Sequence, residues 1–147
     1  MIRTTGLVKR YGSTEALKSV DLVVEAGSTY GLVGPNGAGK TTLLGILSGL
    51  RRPTSGSIEI DADHSRIAVL PDTPRFDPWL TGREVAELAQ RLTTGDGDRV
   101  EEVLSDAGLA DAMDRTVGGY SRGMLQRLGV ACTIVGQPSL VLLDEPA

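Results

Sequence analysis

Hydrophobic and polar positions along the chain fall into alternating strand-like and helix-like stretches. Residues 2–9 and 17–24 are rich in β-forming residues, with Gly12-Ser13 and Ala26-Gly27 as turns. They predict an antiparallel β layer. The apolar run Tyr30-Gly31-Leu32-Val33 predicts a strand over 29–33, and a helical pattern follows over about 40–49. Strands over 57–60 and 66–70 come next, joined by the short polar connection 61–65. Residues 71–80 hold three prolines, so they form neither helix nor central strand. Thr81-Gly82-Arg83-Glu84 reads as a capping box opening a helix to about Arg91, with Val85, Leu88, Ala89 and Leu92 at helical spacing. After a loop over 93–98, Asp98 is the expected N-cap of a helix over 99–107 that stops at Gly108. Ser121 is the expected cap of a helix over 122–135, which Gly136-Gln137-Pro138 ends before a strand over 139–143.

The junction of the 29–33 strand and the next helix carries the chemistry. Gly34, Pro35, Asn36, Gly37, Ala38, Gly39, Lys40, Thr41 and Thr42 fit G-x-x-x-x-G-K-[ST] in the strand–loop–helix setting that a phosphate-binding loop requires. Loop and helix-end N–H groups converge on an anion, and the helix dipole favours it there. Glycines let the backbone approach phosphate oxygens without Cβ clashes. Lys40 offers a point charge to the β- and γ-phosphates of a nucleoside triphosphate, and the Thr41 hydroxyl a ligand for Mg²⁺. At the other end of the chain, the apolar run Leu140 to Leu143 ends in Asp144-Glu145, as a Walker B strand does. Asp144 would orient the Mg²⁺ shell, and Glu145 would polarise the attacking water.

Composition narrows the class. At 147 residues the prior is one domain, and 40% apolar content is ordinary for a globular core. No apolar run approaches the ~18 residues of a membrane span, and no signal pattern opens the chain. The expectation is a cytosolic chain whose membrane work belongs to another protein. The net charge of −4 without a basic tract argues against nucleic acid as a partner. Cys132 sits in an apolar helical stretch as a buried small residue. The one histidine, His64, lies in a polar turn and is expected to face solvent.

Tyr120-Ser121-Arg122-Gly123-Met124, trailed by Gln126-Arg127-Leu128, resembles the Leu-Ser-Gly-Gly-Gln signature of ABC transporter nucleotide-binding domains. With the phosphate loop and the Asp144-Glu145 strand, that resemblance extends over essentially the whole chain. The Tyr-Ser-x-Gly-Met form looks like the branch serving ABC-2-type exporters. The resemblance implies an α/β fold: a P-loop NTPase core (1–71 and 136–147) with an antiparallel β layer and an inserted helical subdomain (72–135) bearing the signature. It places Tyr11 under the adenine of ATP, although Tyr11 also reads as an ordinary strand-end residue. Leu50-Arg51-Arg52-Pro53-Thr54-Ser55-Gly56 resembles the family's turn after the phosphate-loop helix, where Arg51 and Arg52 are read as complementing the helix C-terminus.

The signature lies at a helix start, where Ser121 and the amides near Gly123 form a second anion site. In the family, this segment closes on the ATP held by another subunit. The resemblance therefore implies a head-to-tail dimer of ATP-binding subunits serving a separate transmembrane permease, with ATP and Mg²⁺ as cofactors. Phe76 and Trp79 lie in the proline-rich loop near which the family's membrane partner docks; both rings equally fit as packing for the helical subdomain. Asp72 stands where the family keeps a glutamine. It reads either as a third Mg²⁺ ligand or as a turn residue after Pro71. Arg122 replaces a signature glycine at a cost of about 1 kcal/mol if φ is positive, and at none if it is already helical. The chain shows no D-loop, no switch histidine and no strand to lie between 29–33 and 140–143, so a C-terminally truncated domain with a slot in its sheet is expected. Two other functions stay open: an ABC-type ATPase without a transport role, and a nucleotide-binding remnant without hydrolysis.

Overall fold

The computed structural model describes residues 1–93 and 98–145. It divides into two compact units, 1–64 and 65–147.

In the first unit, β1 (Ile2–Tyr11), β2 (Thr14–Val24) and β3 (Ser55–Ile60) form an antiparallel sheet in the order β2-β1-β3. Ile2 faces Val24 on one side and Ile60 on the other, and Tyr11 faces Thr14 across the turn. The expected β layer is present, and the strand after the phosphate-loop helix joins it. Helix α1 (Lys40–Leu47) buries Leu43, Ile46 and Leu47, while the sheet buries Ile2, Leu7, Leu17 and Leu22. Each such side chain taken from water contributes roughly 1.5–3 kcal/mol.

The expected strand over 29–33 does not form. Among the described residues no strand pairs with this segment, and Tyr30 is 54% and Val33 99% exposed. An apolar run becomes a strand only when a neighbour accepts and donates its ladder hydrogen bonds. The slot expected beside it therefore has no strand to define its near wall.

A 3-10 turn (His64–Arg66) begins at the last residue of the first unit and leads into β4 (Ile67–Leu70) of the second, which pairs in parallel with β5 (Leu140–Leu143), Leu70 opposite Leu143. Parallel pairing needs a long crossover, here residues 71–139. The crossover holds α2 (Gly82–Arg91), α3 (Val100–Asp106), a 3-10 turn (Val117–Gly119) and α4 (Arg122–Ile134). The helices close around Leu104, Leu109, Leu128, Ala131 and Val135. The capping box forms as expected: Thr81 Oγ1 accepts from the Glu84 N–H at 3.1 Å, and Glu84 Oε2 accepts from the Thr81 N–H at 2.8 Å. Helix α3 starts one residue later than expected. Arg99 is its N-cap and Asp98 accepts from the Val100 N–H at 3.3 Å, a local cap with a shifted register. Residues 94–97 of the expected loop lie outside the described residues.

Candidate functional site

The phosphate loop begins exposed and tightens toward α1. Ala38 donates to the Pro35 carbonyl at 3.1 Å, closing a turn around Asn36 and Gly37. Gly37 and Gly39 take left-handed φ values of 83° and 91°. At Gly39 a Cβ would stand 2.5 Å from the Ala16 carbonyl oxygen and 2.8 Å from Leu17 Cδ2, so β2 itself forbids a side chain there. Helix α1 opens with no side-chain cap and no acidic residue in its first turn. Neither a capping side chain nor an acidic residue of its own first turn offsets its positive dipole end. Lys40 Nζ reaches back to donate to the Gly34 carbonyl at 2.5 Å and the Pro35 carbonyl at 3.0 Å. Residues 34–38 are exposed, Gly39 and Lys40 half-buried, Thr41 exposed and Thr42 half-buried. The loop therefore brings two left-handed glycines, a helix end and an ammonium group together within a few residues.

Tyr11 ends β1 and is 45% exposed. Arg51 does not cap α1, which ends at Leu47 with Ser48 as C-cap and no basic residue in its last turn. Its guanidinium instead donates from Nη1 to the Tyr11 hydroxyl at 2.8 Å. The side chain is long enough to leave the helix end, and the turn over 50–54 carries it to β1.

In the second unit, β4 and β5 end side by side, with Asp144 directly after β5 and Asp72 two residues past β4. The Asp144 N–H donates to the Leu70 carbonyl at 2.9 Å, so Asp144 leaves β5 where the chain toward Asp72 leaves β4. The carboxyl ends of parallel strands are where ligands gather in such sheets. Glu145 is exposed with φ 48°, a left-handed backbone that costs a non-glycine residue roughly 1–3 kcal/mol. Among the described residues no three His, Cys, Asp or Glu side chains cluster to hold a metal. Mg²⁺ needs no such cage, since it keeps several waters and uses one or two carboxylates plus substrate phosphates. The oxygen donors Thr41, Asp72 and Asp144 fit that demand in kind.

The signature segment opens α4. Ser121 Oγ accepts from the Met124 N–H at 3.2 Å, the cap expected of it. Arg122 is the first residue of the helix and has no positive φ, so it carries no backbone penalty. Gly123 is exposed in the first turn. Met124 packs against the helical core, which explains an apolar residue there. Tyr120 has a structural task that its place in the motif does not reveal: it is buried, and its hydroxyl donates to the Ala112 carbonyl at 2.6 Å. That burial pushes its pKa above the ordinary phenol value. The nearest sequence signal is the residue type itself, an aromatic with a polar tip.

Phe76 and Cys132 line an apolar cavity of about 400 Å³ together with Leu80, Val85 and Leu92. Trp79 is 71% exposed. The two rings of the proline-rich loop thus part company, one packing on the helices and one facing solvent. Cys132 is half-buried rather than fully buried, and desolvation pushes its thiol up to about 12. His64 is exposed, as expected. Among the described residues no helix is long and apolar enough to cross a membrane.

A family model described as ABC transporter matches residues 17–147, and the chain belongs to that family. It is 40% identical over 158 residues to the daunorubicin/doxorubicin resistance ATP-binding protein DrrA of Streptomyces peucetius, covering 99% of this chain and 48% of that protein. It is 38% identical over 156 residues to the bacitracin transport ATP-binding protein BcrA of Bacillus licheniformis, covering 99% and 51%. The chain thus spans about half the length of the curated relatives it matches. Among solved structures, an ATP-binding subunit of an ABC transporter superposes with a TM-score of 0.87 at 27% identity, covering 99% of this chain and 66% of that one. A dimeric ATP-binding cassette in a post-hydrolysis state, bound to ADP and Pi, superposes with a TM-score of 0.84 at 26% identity, covering 100% and 75%. The α/β fold is that of ABC ATPase domains, a family of ATP-binding and generally ATP-hydrolysing proteins.

Proposed function

We propose that this chain is the ATP-binding part of an ABC exporter, coupling ATP hydrolysis to transport by a separate membrane permease. The observation that carries it is the phosphate loop: two left-handed glycines, an uncapped α1 and an ammonium group held over the same turn. Residues Gly34 to Thr42 bind the triphosphate, with Lys40 exchanging its bonds to the Gly34 and Pro35 carbonyls for β- and γ-phosphate oxygens. Tyr11 stacks on the adenine. Glu145 accepts the proton of the water that attacks the γ-phosphorus, and ADP and phosphate leave. Thr41, Asp144 and Asp72 are the oxygen donors offered to Mg²⁺, which when bound neutralises charge on the phosphates. Ser121 and Gly123 act on the nucleotide of a second ATP-binding subunit in a head-to-tail dimer. The core comprises 1–71 and 136–147, and the helical subdomain 72–135.

The protein works at the inner face of the cell membrane, where the 71–80 loop with its exposed Trp79 meets the permease. Relatives named for drug resistance support efflux as the direction. In the full gene product, Lys40→Ala should abolish ATP binding by calorimetry, and affinity kept within twofold would overturn the phosphate-loop assignment. Glu145→Gln should keep binding and lose about 10²–10⁴-fold in turnover, as loss of a positioned base does. Hydrolysis at the wild-type rate would remove Glu145 from that role.

A further inference from the structure

We propose that Arg51, threaded past a bare face of α1, is a positioning residue for Tyr11, locking the ring as a platform for the purine base. The proposal deepens the adenine-stacking role given to Tyr11 above and rests on it.

Four observations converge on the same spot. Arg51 Nη1 donates to the Tyr11 hydroxyl at 2.8 Å, 40 residues apart in sequence. Its stem lies against Gly45, an interior residue of α1: a Cβ there would stand 2.9 Å from Arg51 Cδ and 3.0 Å from Nε. Glycine inside a helix is unfavourable on its own account, and here its missing Cβ leaves room for the arginine stem. The turn carrying Arg51 is itself clamped to the end of β1. The Thr54 N–H donates to the Val8 carbonyl at 2.8 Å and the Arg10 N–H to Thr54 Oγ1 at 2.9 Å, while the Arg51 backbone N–H ties the turn to α1 through the Gly45 carbonyl at 2.9 Å. Finally, Lys9 Nζ lies over the Tyr11 ring, 4.9 Å from its centroid, and is held there by the Arg52 carbonyl at 2.8 Å.

These contacts restrain a half-exposed tyrosine that would otherwise swing about χ1. The hydroxyl bond fixes where the ring points. The Lys9 ammonium lies 4.9 Å and the Arg51 guanidinium carbon 6.0 Å from the ring centroid, so cation–π attraction from both adds to the hydroxyl bond in holding the ring. Arg51 braces Tyr11 from beside Gly45 of α1, and the phosphate loop opens the N-terminal end of the same helix. A stiff platform lowers the ordering cost of binding the base and leaves binding of the phosphates untouched.

The test compares ATP with inorganic tripolyphosphate by calorimetry on the full gene product. Arg51→Met removes the guanidinium and keeps the stem; Tyr11→Phe removes the hydroxyl and keeps the ring. Each should weaken ATP about two- to tenfold, the reach of one hydrogen bond, and the ratio of ATP to tripolyphosphate affinity should fall by the same factor. The double variant should lose less than the sum of the two single losses, because both delete the same hydroxyl bond. Gly45→Ala, which favours the helix while displacing Arg51, should lower that ratio without lowering the unfolding midpoint. Tyr11→Ala separates the two levels of the proposal. If Tyr11→Ala loses ATP affinity while Arg51→Met and Tyr11→Phe keep the wild-type ratio, Arg51 does not position the ring and the inference is wrong. If Tyr11→Ala also leaves the ratio unchanged, the stacking role itself fails. Additive losses in the double variant would likewise overturn the shared-bond account.

Discussion

Replacing Gly39 by alanine should strike the phosphate loop through two separable effects. The first is backbone strain. At φ 91° a residue with a Cβ is forced into a left-handed conformation that costs about 1–2 kcal/mol. The second is a collision with β2, where the new Cβ would stand 2.5 Å from the Ala16 carbonyl oxygen and 2.8 Å from Leu17 Cδ2. Leu17 is buried, with 4% of its surface exposed, and the carbonyl belongs to a strand, so neither yields without moving the sheet. Overpacking of this kind costs about 1–3 kcal/mol. Gly37 supplies the control. Its φ of 83° imposes the same strain, and nothing lies within 4 Å of its would-be Cβ. Gly39→Ala should therefore lower stability by about 2–5 kcal/mol, and Gly37→Ala by only about 1–2. Urea titration of both variants in the full gene product, followed by far-UV circular dichroism with the m-value held in view, reads the difference. Two variants unfolding within about 0.5 kcal/mol of each other, a spread ordinary for surface changes, would refute the packing of this loop onto β2.

Ser121→Ala should cost about 1 kcal/mol through loss of the α4 cap, and Ser121→Asp should restore most of it; an unchanged urea midpoint for the alanine variant would discard the cap. Cys132, with its pKa pushed up to about 12 against an ordinary 9.0, should alkylate with iodoacetamide at pH 8 at least about tenfold more slowly than a free thiol, and at the ordinary rate in urea. Fast labelling of the native protein would contradict its desolvation. The Arg83 guanidinium, 2.7 Å from Asp114, holds that carboxyl below the usual range. The pair's contribution is thus complete above the ordinary carboxylate pKa near 4 and is lost as pH falls through Asp114's lowered value. Asp114→Asn should accordingly reduce the acid sensitivity of folding, and an unaltered acid midpoint would argue against the pair.

The chain's own order of residues settled whatever a few neighbouring residues can settle. Thr81 with Glu84, and Ser121 with the Met124 N–H, satisfy helix-end donors three residues away, so their chemistry is legible in the string. The phosphate loop is legible for the same reason, since its turn, its glycines and the opening of α1 lie within nine consecutive positions. Tertiary structure decided what depends on a distant partner. The apolar stretch 29–33 has strand composition but no described neighbour to share a ladder, and it stays irregular. Arg51 sits where a helix-end cation is expected, yet it bonds Tyr11, because the clamp of the 50–54 turn onto β1 puts that hydroxyl within reach. Tyr120 reads as a signature letter and proves to be a buried anchor on Ala112. Asp72 and Asp144 follow neighbouring strand ends only because Leu70 pairs with Leu143 across the whole helical crossover. Local hydrogen bonds are specified by spacing along the chain, whereas ladders, burial and long side-chain contacts exist only after folding has chosen which distant segments become neighbours.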